Sequence, residues 1–245
     1  MDLKIKDVAD LLNVSETTIR RWLGDSKIPA YKLNGQYRFS RIEIENWMMS
    51  QKLQVRENLI GPKEMVSLKD EKTKTLLANQ IGSQAYSLFR AVYKGGVVNN
   101  VEGNNKKEVI FEAVKIIAAN LGLDADVISE LLIDRENLMP TALNHGIAVP
   151  HTRDFLLQKP FDVVTVVYLD KPIEYGALDG LPVHTLFFLF ANQDKTHLHL
   201  LAKLAHLTRS NEAMAFLQRR PSKKELLSYL KEWEVKVRTP LEERV

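Results

Sequence analysis

Apolar positions in the first fifty residues recur at helical spacing in three short stretches and alternate once. Val8, Leu11 and Leu12 mark one face of a helix over 7–12. Asn13, a residue that tolerates the left-handed backbone of a tight turn, follows. Ser15 is suited to cap a second helix running to position 23, and Gly24 to end it. Ala9 is small enough to let the two helices approach, with Val14, Ile19 and Trp22 as the wedge between them. Glu16, Thr17, Thr18, Arg20 and Arg21 then remain on the outer face of the second helix. Asn34-Gly35 stands between Tyr31-Lys32-Leu33 and Gln36-Tyr37-Arg38-Phe39, a strong signal for a tight hairpin. Ser40 caps a third helix over 41–49 that buries Ile42, Ile44 or Trp47. Helix, turn, helix and hairpin in this order make a small helix-turn-helix domain over residues 1–50.

The pattern then changes. Residues 51–80 are rich in Lys, Glu, Asp and Asn with little periodicity, and read as a charged linker. Over 81–235 helices alternate with short apolar strands, and 236–245 form a tail. An amphipathic helix over 108–121 carries Val109, Phe111, Ala113, Val114, Ile116 and Ile117 and stops at Gly122. A second helix over 125–134 turns Val127, Ile128, Leu131 and Leu132 inward. Residues 146–149 form a short buried strand stopped by Pro150, and 161–169 and 184–191 are Val- and Phe-rich runs of strand length. A long helix follows over 194–209. This is the pattern of an α/β layered domain, a mixed sheet flanked by helices.

Chemistry concentrates in the second domain. All six histidines lie there: His145, His151, His184, His197, His199 and His206. With no cysteine in the chain, disulfides, cysteine-ligated metals and thiol nucleophiles are excluded, and a cytoplasmic setting is expected. No apolar run reaches membrane-spanning length and no signal peptide is visible, so membrane insertion is not expected. Neither the net charge of +3 nor the ordinary 27% of charged residues selects a partner.

Two resemblances sharpen this reading. Val8-Ala9-Asp10-Leu11-Leu12-Asn13-Val14-Ser15, then Thr18-Ile19-Arg20-Arg21-Trp22, the hairpin and Phe39 resemble excisionase-like or MerR-like winged helix-turn-helix domains. The resemblance implies DNA as a partner. Thr17, Thr18, Arg20 and Arg21 would face the major groove, and Lys32, Gln36 and Arg38 would sit on the wing. Useful specificity would require a homodimer.

The second resemblance rests on three blocks. They are Arg135-Glu136 through Pro140-Thr141 to Gly146-Ile147-Ala148-Val149-Pro150-His151; Pro172-Ile173 through Asp179-Gly180 to Leu186-Phe187-Phe188-Leu189; and Thr196-His197-Leu198-His199-Leu200-Leu201. In this order they resemble phosphotransferase-system enzyme IIA domains of the fructose, mannitol and nitrogen-regulatory type. The resemblance implies that His151 accepts a phosphoryl group from the histidine carrier protein HPr or a nitrogen-branch equivalent. His197 would assist by hydrogen bonding and Arg135 would neutralise the phosphate.

The only group carried would be a covalent phosphate, with no metal and no other cofactor. Such chemistry expects the His151 ring to stand open to solvent beside Arg135 and His197. His145 is expected to add an imidazole close to the site, His184 to be structural, His199 to face another side of its helix from His197, and His206 to lie at the surface. The whole chain reads as a phosphotransferase-like regulator that couples phosphorylation to DNA binding. A IIA phosphocarrier for a fructose- or mannitol-type transporter, handing phosphate to a IIB acceptor or another regulatory protein, and a DNA-binding regulator with an inert IIA-like sensor are the alternatives.

Overall fold

The computed structural model describes residues 3–12, 14–54, 86–152, 154, 157 and 160–238. The turn at Asn13 and most of the linker therefore lie outside the described residues. The N-terminal domain contains α1 (Ile5–Leu12), α2 (Glu16–Gly24), β1 (Tyr31–Leu33), β2 (Gln36–Arg38) and α3 (Arg41–Gln54). The Ser15 hydroxyl accepts the Thr18 amide at 3.2 Å, which satisfies one of the free donors at the start of α2. At the other end Gly24 is still helical, and the left-handed residue is Ser26, with φ 52°. The hairpin follows its sequence signal. Asn34 and Gly35 both take positive φ, 50° and 75°, as a two-residue primed turn requires, and Leu33 pairs with Gln36.

Val8, Ala9, Ile19, Ile28, Phe39 and Ile44 form the core of this domain. Of the three apolar candidates on α3, Ile44 is the one fully buried. Ile42 and Trp47 are half-buried, and the Trp47 ring tilts against Trp22 at 5.5 Å.

The second domain contains α4 (Ser87–Gly95), β3 (Val97–Val101), α5 (Lys106–Leu121), α6 (Ala125–Leu138), β4 (Ile147–Ala148), β5 (Val163–Ile173), β6 (Val183–Phe190), α7 (Asp194–Leu207), α8 (Asn211–Gln218) and α9 (Lys223–Arg238). Its sheet has the order β3-β5-β6-β4. β5 and β6 are antiparallel, whereas β3 runs parallel to β5 and β4 parallel to β6. The central strands are apolar on both faces because both are covered. Val164, Val166, Tyr168, Phe187 and Leu189 face α4, α7, α8 and α9. Val163, Val167, Leu169, Leu186, Phe188 and Phe190 face α5 and α6.

Helix α6 outruns its expected end by one turn and keeps Ile128 and Leu132 of its expected inner face. Ile128, Ser129, Leu132, Arg135 and Glu136 go inward, while Val127 is exposed. Asn105 caps α5 by accepting the Glu108 amide at 3.1 Å, and Gly122 ends it with φ 71°.

The two domains touch. Helices α1 and α3 pack on α7, and Leu11 and Met48 rest against the apolar cluster on that side of the sheet. A salt bridge joins Arg41 to Asp194, the first residue of α7. The Asn46 amide meets the Met139 sulfur at 2.7 Å.

Candidate functional site

The strand carrying β4 leads straight into the site. Beyond Ala148 the chain stays beside β6: the Pro150 carbonyl accepts the Leu189 amide at 3.0 Å, and His151 bridges Leu189 in parallel register. Strand alternation puts Ile147, Val149 and His151 on one face, the face covered by α7. His197, in the first turn of α7, arrives from above. The two imidazoles meet edge to face with centroids 5.1 Å apart.

One hydrogen bond sets the chemistry of His151. Its Nδ1 lies 2.7 Å from the Val149 carbonyl oxygen. A carbonyl can only accept, so Nδ1 carries the proton, and in the neutral ring Nε2 holds the lone pair. Arg135, in the last turn of α6, donates from Nη1 to the Met139 carbonyl at 2.9 Å.

A buried polar frame supports both strand and helix. The Glu136 carboxylate accepts the Thr141 amide at 2.9 Å and the Thr141 hydroxyl as well. Residues 141–143 in turn lie antiparallel to β4, with Leu143 N–H to the Ile147 carbonyl at 2.7 Å and Val149 N–H to the Thr141 carbonyl at 3.1 Å. The end of α6 and the approach to His151 are thereby tied together. Burial pushes the Glu136 carboxyl above its ordinary range, against the pull of the Thr141 donors. Burial, then the Glu136 charge, pushes the Tyr175 phenol well above its own. The signal for this frame in the sequence is a Glu five residues before a Thr at a helix end, Glu136 and Thr141, a pair given no role above.

The expected open ring is not found. His151 is 0% exposed, His197 1% and Arg135 5%. The elements beside the site carry contacts from the N-terminal domain, at Asp194 on α7 and at Met139 just past α6. Glu45 on α3, also 0% exposed, accepts from the Arg41 Nε at 3.1 Å and was not foreseen as a site residue.

His145 does not add an imidazole to the site. It is exposed, with φ 65°, at the opposite end of β4 from His151, where its amide donates to Asp179. His184 bonds through Nδ1 to the Thr185 hydroxyl at 2.8 Å, and His199 through Nε2 to the Ser87 hydroxyl at 3.0 Å. His206 is exposed and packs its edge on Trp233.

On the N-terminal domain Thr17, Arg20, Arg21, Lys32 and Gln36 are exposed. Thr18 is half-buried and shares a hydroxyl contact with Ser15. Arg38 is half-buried too, its guanidinium donating to the Tyr37 carbonyl and to Gln36. This face belongs to α2 and the hairpin, whereas α1 and α3 make the contact with α7.

The architecture is therefore that of a helix-turn-helix domain joined to a mixed α/β domain with a strand-end histidine pair. Residues 92–233 match the family model described as "Phosphoenolpyruvate-dependent sugar phosphotransferase system, EIIA 2". That is more than half of the chain, and the chain belongs to this family. Residues 3–52 match the model "Helix-turn-helix domain".

The chain is 40% identical over 109 residues to a nitrogen regulatory protein of Pseudomonas aeruginosa, covering 43% of this chain and 70% of the relative. It is 30% identical over 117 residues to the fructose-specific EIIABC component of the phosphotransferase system of Bacillus subtilis, covering 46% of this chain and 18% of that protein. The crystal structure of nitrogen regulatory protein IIA-Ntr from Neisseria meningitidis superposes with a TM-score of 0.50 at 27% identity, covering 56% of this chain and 93% of that one. No described helix is long and apolar enough to cross a membrane.

Proposed function

We propose that this protein is a cytoplasmic phosphoacceptor and transcription regulator. His151 takes a phosphoryl group from an HPr-like phosphohistidine donor, and the helix-turn-helix domain carries the result to DNA. The observation that carries the reading is the fixed tautomer of His151. With its Nδ1–H committed to the Val149 carbonyl, the ring offers Nε2 to phosphorus without first losing a proton.

In the transfer, the donor P–N bond breaks and its electron pair returns to the donor imidazole. The Nε2–P bond forms while the Nδ1 proton stays in place. His197 donates to a phosphoryl oxygen and Arg135 offsets the charge. The scheme needs no metal and no cofactor beyond the covalent phosphate. Thr17, Thr18, Arg20 and Arg21 face DNA, with Lys32, Gln36 and Arg38 on the wing. A IIB acceptor, another regulatory protein and a second copy of this chain are the remaining partners of this reading.

The test is phosphotransfer from phosphoenolpyruvate through enzyme I and HPr. Acid-labile label on wild type but not on His151→Ala supports it; equal label on both overturns it. The fully buried ring favours a second reading, a IIA-like sensor that never takes phosphate. Absence of label even after the two domains are separated would select that one.

A further inference from the structure

A histidine that must meet a phosphohistidine on another protein cannot do so from zero exposure. Its Nε2, both ring nitrogens of His197, and the Nε and Nη2 of Arg135 are all buried. Something has to move before a donor arrives, and the interdomain contact identifies it.

Helix α3 is anchored to both elements that carry the helpers of His151, the start of α7 and the residues just past α6. At one end Arg41 holds Asp194, three residues before His197. At the other, Asn46 touches Met139, whose carbonyl receives Arg135. These two anchors are five residues apart, about 7.5 Å along the helix. Between them Glu45 shares the face of Arg41, one turn on, and is fully buried. Leu11 and Met48 pack beside them on the cluster that includes Val149, Leu198 and Leu201.

Arg41 is built for the contact. Burial alone would pull its guanidinium down, but the hydrogen bonds and charges of Asp194 and Glu45 hold it above its ordinary value. The opposite face of the domain, with α2 and the hairpin, stays exposed while this one is docked.

We propose that α3 is a displaceable cover on the phosphoacceptor face, so that docking of the helix-turn-helix domain and docking of the phosphate donor exclude one another. The proposal rests on His151 being the acceptor. Phosphorylation then keeps the cover off. A dianion on Nε2 adds bulk and charge to a ring that is fully buried in the docked chain, and an added charge held out of water is costly. The docked chain is the unphosphorylated form and the undocked chain the phosphorylated one. The position of the helix-turn-helix domain, not obstruction of its DNA face, reports the state of the site.

The chain has no cysteine, so a cysteine pair can be placed without background. In the full chain carrying Asn46→Cys and Met139→Cys, a short cleavable bis-methanethiosulfonate linker should join the two positions rapidly. The linked chain should accept phosphate from HPr at least tenfold more slowly than the same chain after reduction. A second measurement needs no phosphate: deuterium exchange at the imidazole C2 position, read by mass spectrometry. His151 should exchange at least fivefold more slowly than the exposed His145 of the same chain. Arg41→Glu or Asp194→Lys should remove most of that difference, and Lys115→Glu should not.

Failure to link, equal phosphorylation of linked and reduced chains, or an exchange rate at His151 matching His145 in wild type each overturns the cover. If the reduced chain takes no phosphate while linking and exchange behave as stated, the cover stands and the acceptor reading falls.

Discussion

The planes of the His151 and His197 rings stand 85° apart, so the edge of one addresses the other across a centroid distance of 5.1 Å. With Nδ1 of His151 held by Val149, Nε2 is the only nitrogen with a lone pair to give. The phosphorylated protein should therefore carry phosphate on Nε2, the τ-phosphohistidine isomer. Phosphorus and nitrogen NMR of the labelled protein distinguish the two isomers, and the π isomer would show that the tautomer argument is wrong. His197→Ala should still fold. It should slow transfer by about 10²-fold, the usual worth of one positioned donor on a developing charge, and leave the isomer unchanged. Stopped mixing with phosphorylated HPr measures the rate.

Glu234 supplies what the start of α4 lacks. Tyr86 precedes that helix in a left-handed conformation and offers no side-chain cap. The Glu234 carboxylate reaches over from α9 and accepts the Leu88 amide at 3.2 Å and the Phe89 amide at 3.1 Å, with Lys203 of α7 as its salt-bridge partner. One buried side chain thus joins three helices on the side of the sheet that faces the N-terminal domain. Glu234→Ala leaves two amide donors and a half-buried ammonium without it. The expected loss is about 3 kcal/mol, in the range for removing one member of a buried charged pair. Urea unfolding measures it, and a loss below about 1 kcal/mol would mean that water replaces the carboxylate.

Most of the elements were legible along the chain because each rests on a local cause. The hairpin needed only Asn34 and Gly35; α2 needed Ser15; α5 needed Gly122 at its end. The pairing of His151 with His197 was available through the family resemblance, since 46 residues of chain separate them and no spacing rule joins them. What stayed hidden depends on packing between distant segments. Nothing around Glu45 announces that a carboxylate one turn from Arg41 will be fully buried, because the partner face is on α7. Periodicity alone points Val127 inward, but Arg135 and Glu136 share the inner face of α6 with Ile128 and Leu132 and leave Val127 in solvent. His145 lies near His151 in sequence, yet an extended strand carries the two to opposite ends.

His184 gives the fold a dependence on acid. Burial lowers its pKa below the ordinary value, against the raising effect of the His145 backbone, so the folded chain prefers the neutral ring. The unfolded chain binds the proton first. Stability is fully present above the unfolded value near 6.5 and is lost as pH falls toward the lowered folded value. His184→Gln should flatten this acid limb. Chemical unfolding between pH 7.5 and 5 reads the difference, and parallel curves for wild type and variant would remove His184 as the cause. The same contact makes Gly146 irreplaceable. A Cβ there would lie 2.6 Å from the His184 ring and 2.9 Å from the Pro182 carbonyl, at φ 75°. Gly146→Ala should cost about 2–4 kcal/mol.

The exposed face of α2 carries two arginines. Arg20 pairs with Glu16 at 3.5 Å, both exposed, a contact worth little that a bound phosphate would displace at small cost. Arg21, one position on, is exposed as well. If either holds a phosphate, replacing it with alanine releases one fewer counterion on binding, and the slope of log K against log salt should fall by about 0.9. If it reads a base edge, the loss should be about 1–3 kcal/mol and confined to one position of the site. Titration of the full chain on its own upstream DNA at several salt concentrations separates the two outcomes. Replacing Lys32 or Gln36 on the hairpin should weaken all sequences evenly, as backbone contacts do. Unchanged affinity in Arg20→Ala, Arg21→Ala and Thr17→Ala alike would take α2 off the DNA and leave the domain as a protein-binding module.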